Sequence, residues 1–324
     1  MLTYIIPFII LILVVVFIHE YGHYYFARKY GVGVTDFSIG FGQELFGWND
    51  KHGTRWKVCW IPLGGYVKFF GDRNVYSQAD HKEILEKYNK EEQDKLFILK
   101  PLYQRVLIVF GGPLANFLLA IVIFFSIYTF IGKDFTPAVI NEVQKDSPAM
   151  IGGLKNNDII LEIDNNKVES IMDVSKFITT STGNVINFKV DRSNQEYLLK
   201  IKPNIVLSDD NLGNKINKRM VGIKLGAYNN EINHVKLGPA QALIHSVKEV
   251  YFVSASSLKY IGTMLRGTGD SSQLGGPIRI AKITGQVAEI GILPFISIMA
   301  YISISLGLIN LFPIPMLIQT LTIA

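Results

Sequence analysis

Three long apolar stretches dominate the pattern of hydrophobic and polar positions along the chain. They cover residues 1–27, residues 105–132, which are uncharged after Arg105, and residues 291–317, which follow the last charged residue, Glu289. Each is long enough to cross the hydrocarbon core of a bilayer as a helix. The pattern therefore predicts three transmembrane helices.

The segments between these stretches are polar or mixed. Residues 28–104 hold runs rich in Gly, Phe and Trp around a turn sequence at 49–53, which is typical of β-hairpins. Residues 137–225 contain short strand-like runs and one helical patch, as in a compact α+β domain. Residues 236–290 are apolar but interrupted by charges, which favours amphipathic helices at the membrane interface over a fourth span. The predicted fold class is a polytopic α-helical membrane protein with membrane-associated β-hairpins and an inserted α+β domain.

Composition agrees with a membrane protein that carries a soluble insert, since 49% of residues are hydrophobic and only 18% are charged. The single cysteine, Cys59, excludes an intrachain disulfide framework and a thiolate zinc cluster. The net charge of +5 could indicate nucleic-acid binding, but the basic residues are distributed as a topological signal. We expect a lipid bilayer as the partner and no nucleic acid.

The topological signal lies at the ends of the segment between the first two spans. Arg28 and Lys29 follow the first span, and Lys100 and Arg105 precede the second. By the positive-inside rule this segment is cytoplasmic, which places the N-terminus and the 137–225 domain outside. No basic residue precedes the first apolar run, so we expect it to be retained and not cleaved as a signal peptide.

The candidate chemistry lies at the end of the first span, in the sequence His19-Glu20-Tyr21-Gly22-His23. On a helix, two histidines four residues apart share one face and can ligate one zinc ion, with the adjacent glutamate as general base toward a water on the metal. Ionisable groups at lipid depth are costly and are functional by default. The structural alternative is that both histidines only pack between helices, but this does not account for the glutamate between them.

Six further motifs follow in a fixed order. They are 37–42 (FSIGFG), 62–67 (PLGGYV), 111–116 (GGPLAN), 147–160 (SPA…GL…DII), 275–278 (GGPI) and 310–315 (NLFPIP). Together with the histidine motif they resemble the site-2 protease family of intramembrane zinc metalloproteases, in particular the bacterial regulator-of-sigma-E protease type. The stretch around Asp158 resembles a PDZ domain, of which this chain has room for one.

The resemblance implies a role for each matching residue. His19 and His23 would be ligands of one Zn²⁺, Glu20 the general base, and Asn310 a donor to the substrate backbone or the developing oxyanion. Gly40, Phe41 and Gly42 would contact substrate, although a tight turn with an interfacial aromatic anchor accounts for them equally well. Pro313 and Pro315 would break the third helix near Asn310, or only kink it. Close helix packing, not chemistry, is the role expected for residues 111–116.

The resemblance also implies a partner and a location. The substrates would be single-span membrane proteins of the anti-sigma-factor type, and the PDZ-like domain would act as a gate or size filter outside. The chain would be a multi-pass protein of the bacterial inner membrane with its active site toward the cytoplasmic side. Its oligomeric state is open.

One departure from the family pattern bears on activity. The family motif continues through Leu317 to an aspartate that is the third zinc ligand, but this chain has Ile318 there, in a divergent tail of residues 318–324. We therefore expect an altered or truncated C-terminus and weakened zinc binding, because catalytic zinc sites generally keep three protein ligands. The competing hypothesis is a non-catalytic membrane-embedded substrate-binding protein. A channel or transporter is disfavoured because no span carries repeated polar lining residues.

Overall fold

The fold is given by a computed structural model that describes residues 2–71, 88–209, 215–227, 231–267 and 276–311. The helices are α1 (Leu2–Lys29), α2 (Lys90–Gln93), α3 (Leu102–Phe130), α4 (Pro148–Ile151), α5 (Ile171–Thr180), α6 (Pro239–Leu265), α7 (Pro277–Ile290) and α8 (Ile292–Leu311), with a 3₁₀ turn at Phe97–Leu99. The strands are β1 (Val34–Asn49), β2 (Arg55–Phe69), β3 (Lys133–Asp134), β4 (Ala138–Val143), β5 (Ile159–Ile163), β6 (Asn166–Lys167), β7 (Ile186–Arg192), β8 (Gln195–Ile201), β9 (Asn204–Asp209), β10 (Lys215–Met220), β11 (Ile223–Ala227) and β12 (His234–Val235).

Three of these helices have the length and apolar composition needed to cross a bilayer. They are α1 from Tyr4 onward, α3 and α8. Helix α3 begins at Leu102, three residues before the predicted start, because backbone amides of its first turn donate hydrogen bonds to the carbonyl of Pro101. Proline is well suited to a helix start, where its missing N–H leaves no bond unmade. The chain divides into two compact units, residues 1–123 with 280–324, and residues 124–279.

In the first unit, β1 and β2 form one folded sheet in place of separate short hairpins. Residues 34–39 of β1 pair with residues 65–69 of β2 on one side and with residues 55–58 of β2 on the other. Residues 55–58 also pair with residues 46–49 of β1. Both strands bend where Gly40, Gly42 and Gly64 have φ between +85° and +90°, which other residues adopt only with strain. Two strands thus provide four segments, in which residues 34–39 run antiparallel to residues 65–69 and parallel to residues 55–58, with residues 65–69 at one edge.

The second unit is a five-stranded antiparallel sheet in the order β11-β4-β5-β7-β8, with β6 paired to β5. Its core is formed by apolar side chains from the sheet and from α5, among them Ile140, Ile163, Phe177 and Phe188. Helix α5 begins with a capping box in which Ser170 and Asp173 satisfy each other's backbone amides. The fully buried carboxylate of Asp158 accepts two hydrogen bonds, of 2.7 and 2.8 Å, from the Arg192 guanidinium.

Helix α6 packs on α5 in this unit. Lys176 Nζ lies 2.6 Å from a carboxylate oxygen of Glu249. Further along α6, His245 Nδ1 lies 3.2 Å from Lys133 Nζ and 3.7 Å from Glu169 Oε2. Burial and then the charge of Lys133 lower the pKa of His245 against the opposing effect of Glu169, with Lys248 and Lys167 acting in the same direction as Lys133. The His245 imidazole is therefore neutral when α6 is packed in this unit.

Candidate metal centre

The histidine motif lies where α1 crosses α3 at very short range. A Cβ added to Gly22 would lie 2.2 Å from the carbonyl oxygen of Gly111, and one added to Gly111 would lie 2.6 Å from that of Gly22. Only paired glycines permit two helix backbones to approach this closely. The crossing presses the imidazoles of α1 against the backbone and side chains of α3.

Helix α3 fixes the orientation of the His23 ring. Nδ1 of His23 lies 2.8 Å from the carbonyl oxygen of Ile108. Because a carbonyl oxygen only accepts, Nδ1 carries the hydrogen, and Nε2 is left with its lone pair. A hydrogen bond of this kind on the far nitrogen is the usual support of a metal-binding histidine.

The ring of His19 has a different partner, the side-chain amide of Asn116. The Asn116 side chain is fully buried, its amide nitrogen lies 3.1 Å from His19 Nδ1, and its Oδ1 has no hydrogen-bond partner within the described chain. The two ends of an asparagine amide are told apart only by their hydrogen bonds, so rotating this amide by 180° directs Oδ1 at His19 Nδ1. The rotated amide accepts from Nδ1–H, so Oδ1 gains a partner while Nδ2 takes the place without one, and Nε2 of His19 is again left with its lone pair.

The two Nε2 atoms converge on one point. They lie 3.2 Å apart. Two nitrogen ligands of one tetrahedral zinc ion, each about 2.0–2.1 Å from the metal, lie about 3.3 Å apart. Two facing lone pairs at this distance repel each other unless a cation or a shared proton lies between them. The space beside them is kept open by Gly112, whose Cβ would lie 2.3 Å from His23 Nε2 and 2.7 Å from His19 Nε2.

The edge of the folded sheet lies against Glu20. A Cβ on Gly65 would lie 3.3 Å from Glu20 Cγ and 3.2 Å from Val16 Cγ1, so this strand lies directly on α1. The backbone amide of Val67 donates toward the Glu20 carboxylate. Glu20 therefore lies against the edge formed by residues 65–69, one position along α1 from His19.

Helix α8 contributes Asn310. Its amide nitrogen lies 3.2 Å from His19 Nε2, within hydrogen-bonding distance. The helix is fixed to α3 by Ser303, whose buried hydroxyl donates 2.9 Å to the backbone carbonyl of Asn116. Gly307 permits the close contact, since a Cβ there would lie 3.2 Å from the Pro113 carbonyl oxygen. Three helices thus meet around the two imidazoles.

The other predicted substrate-contact residues are placed less directly. Gly40 and Gly42 form the bend of β1, where a Cβ on Gly40 would lie 2.5 Å from the Ile61 carbonyl oxygen. Phe41 is 45% exposed and stacks on Tyr66 at 6.0 Å. These contacts account for a conformational role, and the substrate role stays a prediction. Pro313, Pro315 and Ile318 lie outside the described residues.

The sheet carries its own charged pair behind this edge. Lys57 Nζ lies 2.7 Å from Asp36 Oδ1. Partial burial alone would lower the pKa of Lys57, but the bonds to Asp36 and Tyr66 outweigh it and raise the pKa above its usual range. Lys57 therefore stays charged and ties adjacent strands together.

The residues present fit two positions in the shell of a metal ion. Neutral imidazole nitrogens are good zinc ligands, both are supported on their far side, and a glutamate lies beside them. Within the described ranges, no cluster of three or more His, Cys, Asp or Glu side chains is placed to hold a metal.

Two histidines with an adjacent glutamate on an apolar helix form the His-Glu-x-x-His arrangement that is found in zinc peptidases. The chain belongs to peptidase family M50, which it matches over residues 7–317, so the resemblance drawn from the motifs is confirmed. The family is a metalloprotease family, and the names of its relatives identify the metal as zinc.

Two relatives illustrate the similarity. "Putative zinc metalloprotease Atu1380" of Agrobacterium fabrum is 39% identical over 97% of this chain and 83% of its own length. "Metalloprotease MmpA" of Caulobacter vibrioides is 33% identical over 94% of this chain and 81% of its own length. Among solved structures, the PDZ domain of the SdrC-like protein from Listeria monocytogenes aligns with 28% of this chain and 88% of that chain, at 22% identity and a TM-score of 0.23.

Sequence reasoning missed two residues of the site. Gly112 and Asn116 were assigned to helix packing, but the structure places both against the imidazoles. Asn116 does also pack, through its backbone contact with Ser303. A polar residue in the middle of an uncharged span was the available signal, because a buried amide in lipid needs a partner.

Proposed function

We propose that this protein is a zinc-dependent intramembrane endopeptidase that cleaves the membrane-spanning segment of single-span proteins. The observation that carries the proposal is the convergence of His19 and His23 Nε2 atoms, 3.2 Å apart, beside Glu20 on a helix apolar enough to span a bilayer. Anti-sigma-factor-type proteins are the proposed substrates, and membership of the family supports that choice.

Each residue of the site has its own chemical role in this reaction. When bound at His19 and His23, zinc would polarise the scissile carbonyl and make water nucleophilic at neutral pH. Glu20 accepts a proton as water adds to the carbonyl carbon, and delivers it to the amide nitrogen as the C–N bond breaks. Asn310 donates a hydrogen bond to the oxygen on which negative charge develops.

The sheet edge serves the substrate backbone. A peptide bond in a transmembrane helix is protected because its carbonyl is already bonded, so the substrate must be extended before it is cut. Residues 65–69 pair with residues 34–39 on one side and lie beside Glu20. An extended substrate adds to this edge as a further strand, which places a carbonyl near the imidazole pair.

The remaining features fit a gated enzyme in the bacterial inner membrane. The basic residues around the segment between α1 and α3 support a cytoplasmic location for the sheet and an outer location for residues 137–225. That domain, proposed as PDZ-like from its sequence and its small sheet with one capping helix, would admit substrates whose outer part has been removed.

A second function is favoured by one specific feature. Ile318 stands where the family pattern has its third ligand, so the chain could bind substrates without cutting them. The experiment compares cleavage of a tagged single-span protein by the chain, by Glu20→Gln and by Ile318→Asp, all reconstituted in the same lipid. Cleavage that Glu20→Gln abolishes supports the peptidase. Cleavage that survives Glu20→Gln overturns it, and absence of cleavage in Ile318→Asp as well supports the binding protein.

A further inference from the structure

A single carboxylate joins the turn of the sheet to the helix that carries the histidines. Asp50 begins the turn between β1 and β2. Its Oδ2 accepts from the Tyr24 hydroxyl at 2.8 Å and from the Trp56 indole N–H at 3.0 Å. Its Oδ1 accepts from the backbone amides of His52 at 2.8 Å and Thr54 at 2.9 Å. Tyr24 directly follows His23, so the contact is made next to the metal centre.

The ionised form of this carboxylate is what the turn requires. Burial alone would raise the pKa of Asp50, but the bonds from Trp56 and Tyr24 and from the two amides outweigh it and hold the pKa well below its usual range. The partners that Asp50 has within the described chain are neutral donors. A carboxylate can accept all four bonds, whereas an asparagine has one acceptor oxygen.

Aromatic packing also fixes this turn to the rest of the sheet. The rings of Trp56 and Phe37 stack with centroids 4.1 Å apart. Phe37 meets Phe17 at 5.7 Å and Tyr24 at 5.8 Å, both edge-to-face, on α1. Phe37 also lies opposite Val67 in the edge segment. A continuous set of contacts thus runs from Tyr24 through Asp50, Trp56 and Phe37 to the strand beside Glu20.

We propose that Asp50 is a positioning residue that sets the distance between the sheet edge and Glu20. Through Tyr24 and Trp56 it fixes the sheet on α1, so that a backbone added at residues 65–69 is aligned with the imidazole pair. The effect of Asp50 on catalysis rests on the proposed peptidase function, but the docking of the sheet on α1 can be measured without catalysis.

The docking test uses Cys59, the only cysteine of the chain. Cys59 lies in β2, is 3% exposed, and its Sγ lies 3.3 Å from the buried Ser38 hydroxyl. Its labelling rate with a membrane-permeable maleimide reports opening of the sheet around this buried thiol. In the full chain, we expect Asp50→Asn and Tyr24→Phe each to raise that rate about tenfold, because each breaks the same charge-assisted contact. The double variant should label no faster than Asp50→Asn alone, since both changes remove one unit. Lys51→Ala, an exposed residue of the same turn, should label like wild type.

The substrate test is made in the Glu20→Gln chain, so that binding is read without cleavage. The probe is a fluorescein-labelled synthetic single-span peptide with a central Gly-Pro, in nanodiscs. Asp50→Asn should weaken its binding about tenfold with zinc content unchanged. Unchanged Cys59 labelling and unchanged peptide binding in Asp50→Asn would overturn the positioning role, as would equal effects in Lys51→Ala. The proposed function fails by a different result, namely cleavage that survives Glu20→Gln.

Discussion

Gly112→Ala tests the metal centre with the smallest possible change. The added methyl carbon would lie 2.3 Å from His23 Nε2 and 2.7 Å from His19 Nε2, in the space that the two nitrogens face. Carbon atoms at such positions essentially never come closer than 3.0 Å to a neighbour. The His23 ring would therefore have to move by about 0.7 Å, and misplacements near 1 Å cost about 10²-fold in catalysis.

The expected result is a loss of about 100-fold in zinc affinity and in kcat/KM, with the fold intact. Zinc affinity is measured by chelator competition on the purified full-length protein, and folding by its circular dichroism. The matched control is Gly262→Ala on α6, where a Cβ meets nothing within 4 Å. A second control, Gly22→Ala, should instead disrupt the crossing of α1 and α3. Wild-type zinc affinity in Gly112→Ala would refute the assignment of the space between the imidazoles to the metal.

Three further results are expected. Asn116→Ala should lower zinc affinity about 10–100-fold, whereas Asn116→Asp, which keeps an acceptor for His19 Nδ1–H, should retain it; chelator competition on both decides. Asp158→Asn should destabilise the 124–279 unit by about 3 kcal/mol in pulse proteolysis of the full chain, because it breaks a buried pair, while Glu142→Gln in an exposed pair should change it by less than about 1 kcal/mol. Since the folded-state pKa of His245 is lowered, the unfolded chain binds a proton that the folded chain does not, so stability of this unit should fall as pH drops below about 6.5. Pulse proteolysis at pH 7.5 and 5.5 should show this loss, and His245→Gln should reduce it.

The sequence was sufficient where local pattern decides the structure. The helix with the histidine motif follows from an apolar run that ends in charged residues. The amphipathic pattern of residues 236–290 likewise corresponds to helices α6 and α7. These features depend on neighbours within one or two helical turns.

The parts that could not be predicted depend on contacts between distant residues. Asn116 meets His19 across 97 positions, and this needs the crossing of α1 and α3 at Gly22 and Gly111. The hairpin pattern of residues 28–104 gives strands but not their double pairing, because each bend is set by glycines whose φ is not encoded in hydrophobic alternation. Asp50 looked like an ordinary turn residue since its partner Tyr24 precedes it by 26 positions.

The proposed function depends on His19 and His23 holding one metal ion together within a membrane helix. The direct measurement is zinc X-ray absorption on the purified full chain and on Ile318→Asp, each loaded with one equivalent of zinc. We expect a shell that contains two imidazole nitrogens and is lost when both histidines are changed to alanine. Failure of both proteins to retain zinc, or a shell unaffected by the loss of these histidines, would contradict it.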